Sequence, residues 1–294
     1  MSTETRDTSL APSGERTVEP SGVLYVVGTP IGNLDDLSSR AIDVLKHVDV
    51  IAAEDTRRTA GLLSRIGAKA PLIAYHDHNE RERAPELLDR IAAGQRVAIV
   101  SDAGMPTISD PGWHVVAAAR ARGLDVVSVP GPSALTAALS IAGLPTDRFV
   151  FEGFLPRRDT ARRARLEMLA NEQRTLVFFE AVHRIAATLA AMAEVFGGAR
   201  RAAIARELTK LHEACYTGTL AELVSRLEHD VPQRGEFVVL VGGAPIEPRH
   251  EEDVEVQRIY SILTRSLAPR EAVALTAEIS GVSRNAVYRV TRAH

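Results

Sequence analysis

From Gly22 onward the chain repeats one pattern: a short apolar run, a turn, then an amphipathic stretch. The segments "VLYVVG", "DVIAAE", "PLIAYH", "QRVAIVSD" and "DVVSVPG" have the length and side chains of strands. Between them, "LSSRAIDVLKHV", "TAGLLSRIG", "RERAPELLDRIAAG" and "GWHVVAAARARG" have helical spacing. Leu37, Ala41, Val44, Leu45 and Val48 form one stripe of the first, and Gly67 closes the second. Parallel strands need a crossover of helix length, and the crossing helices cover both sheet faces. The alternation therefore restricts residues 22–135 to an α/β domain with a mostly parallel sheet. A second α/β domain is expected over 136–246, with strands in "RFVFEGF", "RTLVFFE", "RAAIARE" and "EFVVLVGG". Its helices are expected near Thr160–Ala170, Val182–Phe196 and Leu220–His229. The join "APIEPRHEED" leads into a helical tail over 251–294, and residues 1–21 read as a disordered tail.

In open α/β sheets, ligands lie beyond the carboxyl ends of the strands. Here those ends read "VGTPIGNL", "AEDTRRT", "YHDHNE", "SDAGMP" and "VPGPSA". Gly and Pro at one strand end merely turn the chain; five polar or Gly/Pro-shaped ends together describe a ligand site. Neither G-x-G-x-x-G nor G-x-x-x-x-G-K-[ST] is present, since Gly28 and Gly32 bracket "TPI" instead. Pro30 also removes an N–H where a phosphate cradle would need donors. A ligand without phosphate fits better, and S-adenosylmethionine, a nucleoside with an amino-acid tail, meets that description. Glu54, Asp55 and Asp102 would hold ribose hydroxyls or an ammonium; the alternative is that they cap helices or pair with nearby arginines.

Composition limits the partners. The net charge of −3 exerts no global pull on nucleic acid, so an RNA partner must use local basic patches. A single cysteine, Cys215, leaves no disulfide framework and suits a cytoplasmic protein. The apolar runs are strand-sized, so no membrane span is expected, and the opening residues lack the apolar core of a signal peptide.

The strings "LYVVGTPIGNLDDLSSRA", "IAAEDTRRT", "YHDHNE", "VSDAGMPTISDPG", "PGPSALTAALSIAGLPTDRFVFEGFLPR", "FFEAVHR" and "ARELTKLHE" resemble, in that order, a bacterial methyltransferase of the tetrapyrrole-methylase superfamily. Within it they are similar to the branch that modifies small-subunit ribosomal RNA, and the similarity runs from about Gly22 to the C-terminus. That resemblance implies two α/β domains with S-adenosylmethionine in the cleft between them, in a homodimer. It also implies 2′-O-methylation of a decoding-region cytidine in 16S rRNA of the small ribosomal subunit. Carried over by position, the cofactor contacts fall on Pro30, Ile31, Asp102, Gly104, Met105, Ser133, Ala134, Phe179 and Leu208. Two residues depart from the family pattern. Met105 stands where a small hydroxyl residue is usual, and Arg234 replaces a lysine before "GE". In this reading Asp102 faces the ligand, whereas Asp110–Pro111 is a structural turn and helix start.

A ribose hydroxyl is a poor nucleophile, so a base within hydrogen-bond reach would help. The candidates are His76, Asp77 and His78 in the third loop and Glu54 and Asp55 in the second; the sequence does not choose among them. No third ligand accompanies His76 and His78, and no metal is expected. For RNA, the basic residues are Arg57, Arg58, Arg157, Arg158, Arg162 and Arg163, since the planar guanidinium suits phosphate. The plainer alternative is a solvated helix face paired with Glu167 and Glu172. The tail has the pattern of a helix-turn-helix, with Gly281 at the turn, Ser283 as cap and Arg284, Asn285 and Arg289 outward. A small helical cap packed through Val282, Val287 and Val290 is the alternative. Two other functions compete with the first: methylation of a porphyrinoid, and RNA binding without catalysis.

Overall fold

The structure, a computed structural model, describes residues 22–232, 234–245 and 251–292. The tail expected over 1–21 lies outside the described residues. The chain divides after Ala244 into two compact units. The larger unit holds two five-stranded sheets.

In the first sheet, β1 (Val23–Val27), β2 (Val50–Ala53), β3 (Leu72–Ala74), β4 (Arg96–Val100) and β5 (Asp125–Val129) lie in the order β3-β2-β4-β1-β5, every pair parallel. The period of two in each strand serves two cores. Leu24, Val50, Ala52, Val97 and Ile99 enter one face, and Val27, Ile51, Ala53, Ala98 and Val100 the other. The crossovers are α1 (Ser39–His47), α2 (Thr56–Ile66), α3 (Glu80–Ala92) and α4 (Trp113–Ala121). Local chemistry sets their ends: the Ser38 hydroxyl caps α1 by accepting from the Ala41 N–H at 3.1 Å. Gly67, at φ +70°, ends α2 in the left-handed conformation that favours glycine.

Helix α5 (Ala134–Ile141) leads to the second sheet, so the junction expected between residues 135 and 136 falls on a helix. That helix packs Ala138 and Leu139 on the second sheet, together with Val177, Ala203, Ala205, Val238 and Leu240. The sheet contains β6 (Phe149–Phe154), β7 (Thr175–Ala181), β8 (Arg201–Arg206), β9 (Ala214–Thr219) and β10 (Glu236–Val241), in the order β6-β7-β10-β8-β9. Only β6 and β7 pair parallel; the rest pair antiparallel. The opposite face buries Leu176, Phe178, Ile204 and Val239 beneath α6 (Asp159–Leu169), α7 (Ile185–Phe196) and α8 (Leu220–His229).

Sequence reading passed over α5 and β9. The run "ALTAALSI" has no charged face, so nothing in it contrasts with its buried side. The segment "ACYTGT" is polar and pairs with β8 alone, as an edge strand. A buried cation holds the far end of this sheet. Arg200, 8% exposed, donates from Nε to the Gly242 carbonyl at 2.8 Å, from Nη1 to Ala170 at 3.0 Å and from Nη2 to Glu172 at 3.2 Å.

The smaller unit is helical. In it α9 (Glu251–Leu263), α10 (Pro269–Ser280) and α11 (Arg284–Arg292) enclose Val256, Val273 and Val287. Gly281 turns between α10 and α11 at φ +75°, and the Ser283 hydroxyl caps α11 by accepting from the Ala286 N–H at 3.2 Å. Arg284, Asn285 and Arg289 are exposed, while Val287 fills the core. Among the described residues, no helix is long and apolar enough to cross a membrane.

Candidate active site

Strand order determines which loops meet. Because β4, β1 and β5 are neighbours, the loops that follow them emerge side by side. Thr29 and Gly104 then form an isolated antiparallel bridge, with N–H···O distances of 2.9 and 3.0 Å. The Thr29 hydroxyl adds a third link by donating to the Ser101 carbonyl at 3.0 Å. Gly28 and Gly131 press backbone against backbone: a Cβ on Gly28 would lie 2.7 Å from the Gly131 Cα. No larger residue fits at either position without parting the ends of β1 and β5.

A cavity of about 350 Å³ opens between these loops and the second sheet. The first lobe contributes Ile31, Gly104, Met105, Ile108, Ser133 and Ala134 to its walls, and the second contributes Phe154, Phe179 and Val238. Its polar walls carry three carboxylates, Asp110, Glu180 and Glu236, and no lysine or arginine. Two of these acids are ion-paired, Glu180 with Arg184 at 3.2 Å and Glu236 with Lys210 at 3.0 Å, while no basic residue is paired with Asp110 among the described residues. Apolar walls with a few convergent acids also match a ligand whose flat ring and thioether chain need burial and whose sulfonium and ammonium carry positive charge.

The loops around this cavity hold strained backbone. Among the described residues, the non-glycine residues with positive φ are Thr107 (75°), Ser109 (62°), Glu207 (51°) and Thr209 (66°). All four lie in two loops, "MPTISDPG" of the first lobe and "RELTK" of the second. Such conformations cost on the order of 1–3 kcal/mol each and persist where their surroundings over-determine them. Here Leu208 packs with Ile31 in one core cluster, and Lys210 binds Glu207 at 2.8 Å and Glu236 at 3.0 Å.

Of the residues carried over as cofactor contacts, Ile31, Gly104, Met105, Ser133, Ala134 and Phe179 line the cavity. Leu208 is buried in the core beneath it. Pro30 and Asp102 line a neighbouring depression with Arg58, Gly61 and Arg65. The Asp102 carboxylate already has partners, accepting from the Asp55 N–H and from Arg58 Nη1, each at 3.0 Å. Asp102 therefore ties the second loop to the fourth.

Two of the candidate bases, Glu54 and Asp55, are similarly occupied. Glu54 accepts from the Asp102 N–H at 3.2 Å, and burial raises its pKa. Asp55 caps α2 through the N–H groups of Arg57 and Arg58, bonds that hold its carboxyl below the usual range. The His76 and His78 rings lie 6.0 Å apart, with His76 Nδ1 buried and unpaired, and neither ring lines the cavity. Among the described residues no group of acids, histidines and cysteine is placed to hold a metal.

Asp110, read from sequence as part of a turn, instead lines the cavity. Burial first, then Glu54, and to a lesser degree Asp102 and Asp77, against the lowering by the Ser101 hydroxyl, push its carboxyl up to about 7. Nothing in the string "ISDPG" announces this, because the direction of Asp110 follows from the left-handed residues before it.

The basic residues divide into two groups. Arg157 and Arg158 are exposed, as are Arg57 and Arg58. Arg162 corrects its expectation: it is 7% exposed, turned inward beside Leu166 and paired with Asp159. Arg163 is bound to Glu194. The helical period explains the split, because positions 162, 166 and 169 fall on the buried stripe of α6. The triple change Arg57→Ala, Arg157→Ala and Arg158→Ala should thus flatten the salt dependence of RNA binding. The log–log slope should fall by roughly 0.7 for each phosphate of a single strand that is no longer neutralised. Filter binding at several salt concentrations measures it, and an unchanged slope would leave these arginines as a solvated face.

Residues 23–224 match the family described as Tetrapyrrole (Corrin/Porphyrin) Methylases, and residues 250–291 match the RsmI C-terminal HTH domain. A ribosomal RNA small subunit methyltransferase I from Xylella fastidiosa is 52% identical, over 91% of this chain and 98% of the relative. The protein of the same name from Pseudomonas aeruginosa is 51% identical, over 92% of this chain and 96% of the relative. A uroporphyrin-III C-methyl transferase from Thermus thermophilus, solved in complex with S-adenyl homocysteine, shares the fold of the larger unit. The TM-score is 0.52 at 22% identity, over 75% of this chain and 97% of that one. With its two α/β lobes, the apolar cleft between them and its three-helix C-terminal unit, the chain belongs to the ribosomal RNA small subunit methyltransferase I branch of the tetrapyrrole methylases.

Proposed function

We propose that this protein transfers a methyl group from S-adenosylmethionine to small-subunit ribosomal RNA, and that the acceptor is the ribose 2′-hydroxyl of a decoding-region cytidine in 16S rRNA. The observation that carries the reading is the lining of the cavity: apolar walls from both lobes with the acids Asp110, Glu180 and Glu236 and no lysine or arginine among the lining residues. When bound, S-adenosylmethionine supplies a methyl group on a positively charged sulfur. Met105, Phe179 and Ile31 offer it apolar surface, while the acids offset its charge. The bridged first and fourth loops fix one wall and the second sheet the other, so a docked hydroxyl is aligned with the methyl group.

A porphyrinoid substrate fits this site less well. Its carboxylate side chains would face Asp110, Glu180 and Glu236, and the neighbouring cations Arg184 and Lys210 are already engaged by two of these acids. The exposed Arg57, Arg157 and Arg158 would also be without use on a small macrocycle. RNA binding without catalysis leaves the formed cavity unexplained.

The test is transfer of a labelled methyl group to small ribosomal subunits, with a porphyrinoid offered in parallel. The expected product is 2′-O-methylcytidine in the nucleoside digest. Label on a base would overturn the 2′-O assignment, and label only in the macrocycle would overturn the RNA reading.

A further inference from the structure

We infer that Asp110 is the catalytic residue that accepts the proton of the ribose hydroxyl. This rests on the 2′-O reading above and adds what that reading leaves open. In the step, a lone pair of the 2′-oxygen forms the new C–O bond. The S–C bond breaks with its electron pair passing to sulfur, which becomes a neutral thioether. The hydroxyl proton moves to the Asp110 carboxylate and from there to solvent.

Elimination among the acids of the cleft leads to this residue. Glu180 accepts from the Thr188 hydroxyl at 2.6 Å and the Ala181 N–H at 2.8 Å, with Arg184 3.2 Å away. Glu236 is bound to Lys210, Glu54 to the Asp102 N–H, Asp102 to Arg58, and Asp55 to the start of α2. A carboxylate already accepting from a charged or backbone donor is a weaker base. Among the described residues no charged or backbone donor is bound to Asp110, which has the Ser101 hydroxyl beside it and lies on the cavity wall. Thr107 and Ser109, both left-handed, set its direction, and the second lobe closes over them: a Cβ on Gly153 would meet Ser109 Oγ at 3.0 Å. A general base works best when its pKa lies near the working pH. The groups that set this one are Glu54 from the end of β2, Ser101 and Asp102 from the end of β4, and Asp77 from the loop after β3; Glu180 and Glu236 share the same cavity.

The experiment compares the full-length protein with Asp110→Asn in three measurements. First, 2′-O transfer to small subunits should fall about 10²–10⁴-fold, the usual worth of a positioned base. The rise of parental rate with pH through about 7 should vanish with it. Second, the dissociation constant for the subunit should stay within about twofold, since asparagine keeps the shape; transfer is compared at saturating S-adenosylmethionine, because the lost carboxylate also offsets that ligand's charge. Third, melting temperature should be followed against pH without any ligand. The folded carboxyl titrates above its ordinary value of 3.8, so the parent loses stability as pH rises from there through about 7. The variant carries no such loss, and its melting temperature should gain on the parent's across that window. Parental label on ribose with equal transfer by the variant, or parallel melting curves, would overturn Asp110 alone. Parental label absent from ribose would overturn the 2′-O reading, and Asp110 as its base with it.

Discussion

Gly28→Ala should lower the melting temperature by several degrees and reduce methyl transfer on the order of 10²-fold, although it adds one methyl group far from any proton transfer. The added Cβ would sit 2.7 Å from the Gly131 Cα, 2.8 Å from the Gly131 N and 2.7 Å from Met105 Sδ. A methionine can swing aside, but the Gly131 backbone belongs to the turn after β5 and moves only if β1 and β5 part. Overpacking of this kind costs about 1–3 kcal/mol, or roughly 2–4 °C per kcal/mol in a domain of this size. The larger effect is on the reaction, because the displaced loops carry Ile31, Ser133 and Ala134, and misplacement by about 1 Å is worth about 10²-fold. Two other glycines give the comparison. A Cβ on Gly32 meets the Lys210 Cγ at 2.4 Å and forces that side chain to shift, whereas one on Gly61 meets nothing within 4 Å and is the control. Scanning calorimetry and a methyl-transfer assay on the three variants measure the ranking. A Gly28→Ala protein with parental melting temperature and rate would show that the two turns can separate freely.

Arg200→Ala should shift the urea midpoint further than any exposed arginine substitution, with a loss of about 3–5 kcal/mol. Removing the guanidinium leaves the carbonyls of Ala170 and Gly242 without their donor, while that of Glu172 keeps the Ala244 N–H at 2.6 Å. Each buried acceptor so abandoned costs roughly 1–3 kcal/mol. The Phe196 ring, 5.3 Å from the guanidinium carbon, loses its covering cation as well. Those carbonyls belong to the turn between α6 and β7 and to the chain leaving β10, so one side chain staples three segments. Lysine has a single nitrogen for three acceptors and should recover only part of the loss. Equilibrium unfolding with an unchanged slope is the measurement. A midpoint within error of the parent's would mean that water replaces the donor.

The strands other than β9 were legible because their alternating apolar residues answer to two buried faces, as Leu176 and Phe178 do against Val177 and Phe179 in β7. The convergence of the loops was legible too, since Gly28, Gly104 and Pro30 stand at strand ends. Partnership was not. Asp102 looked like a ligand contact, and only the fold brings the Asp55 N–H and Arg58 to its two oxygens. Arg162 was indistinguishable from Arg163 in a string of arginines, because the phase of α6 against its neighbours decides which one is buried. Asp110 was hidden for a backbone reason, as no residue in "TISDPG" signals that Thr107 and Ser109 adopt left-handed φ.

The four left-handed residues around the cleft also bear on the thermodynamics of ligand capture. A loop built from glycines at Thr107, Ser109, Glu207 and Thr209 would relieve the local conformational cost, and it would then wander among many shapes between binding events. The side chains present at these positions narrow that ensemble before any ligand arrives. Ordering a mobile loop on association takes roughly 1–2 kcal/mol per residue fixed, and a loop held in shape beforehand avoids most of that loss. Affinity in this cleft thus derives in part from disorder that was removed during folding. Glycine substitutions at these positions would give a more relaxed protein whose ligand binding carries a larger entropic penalty.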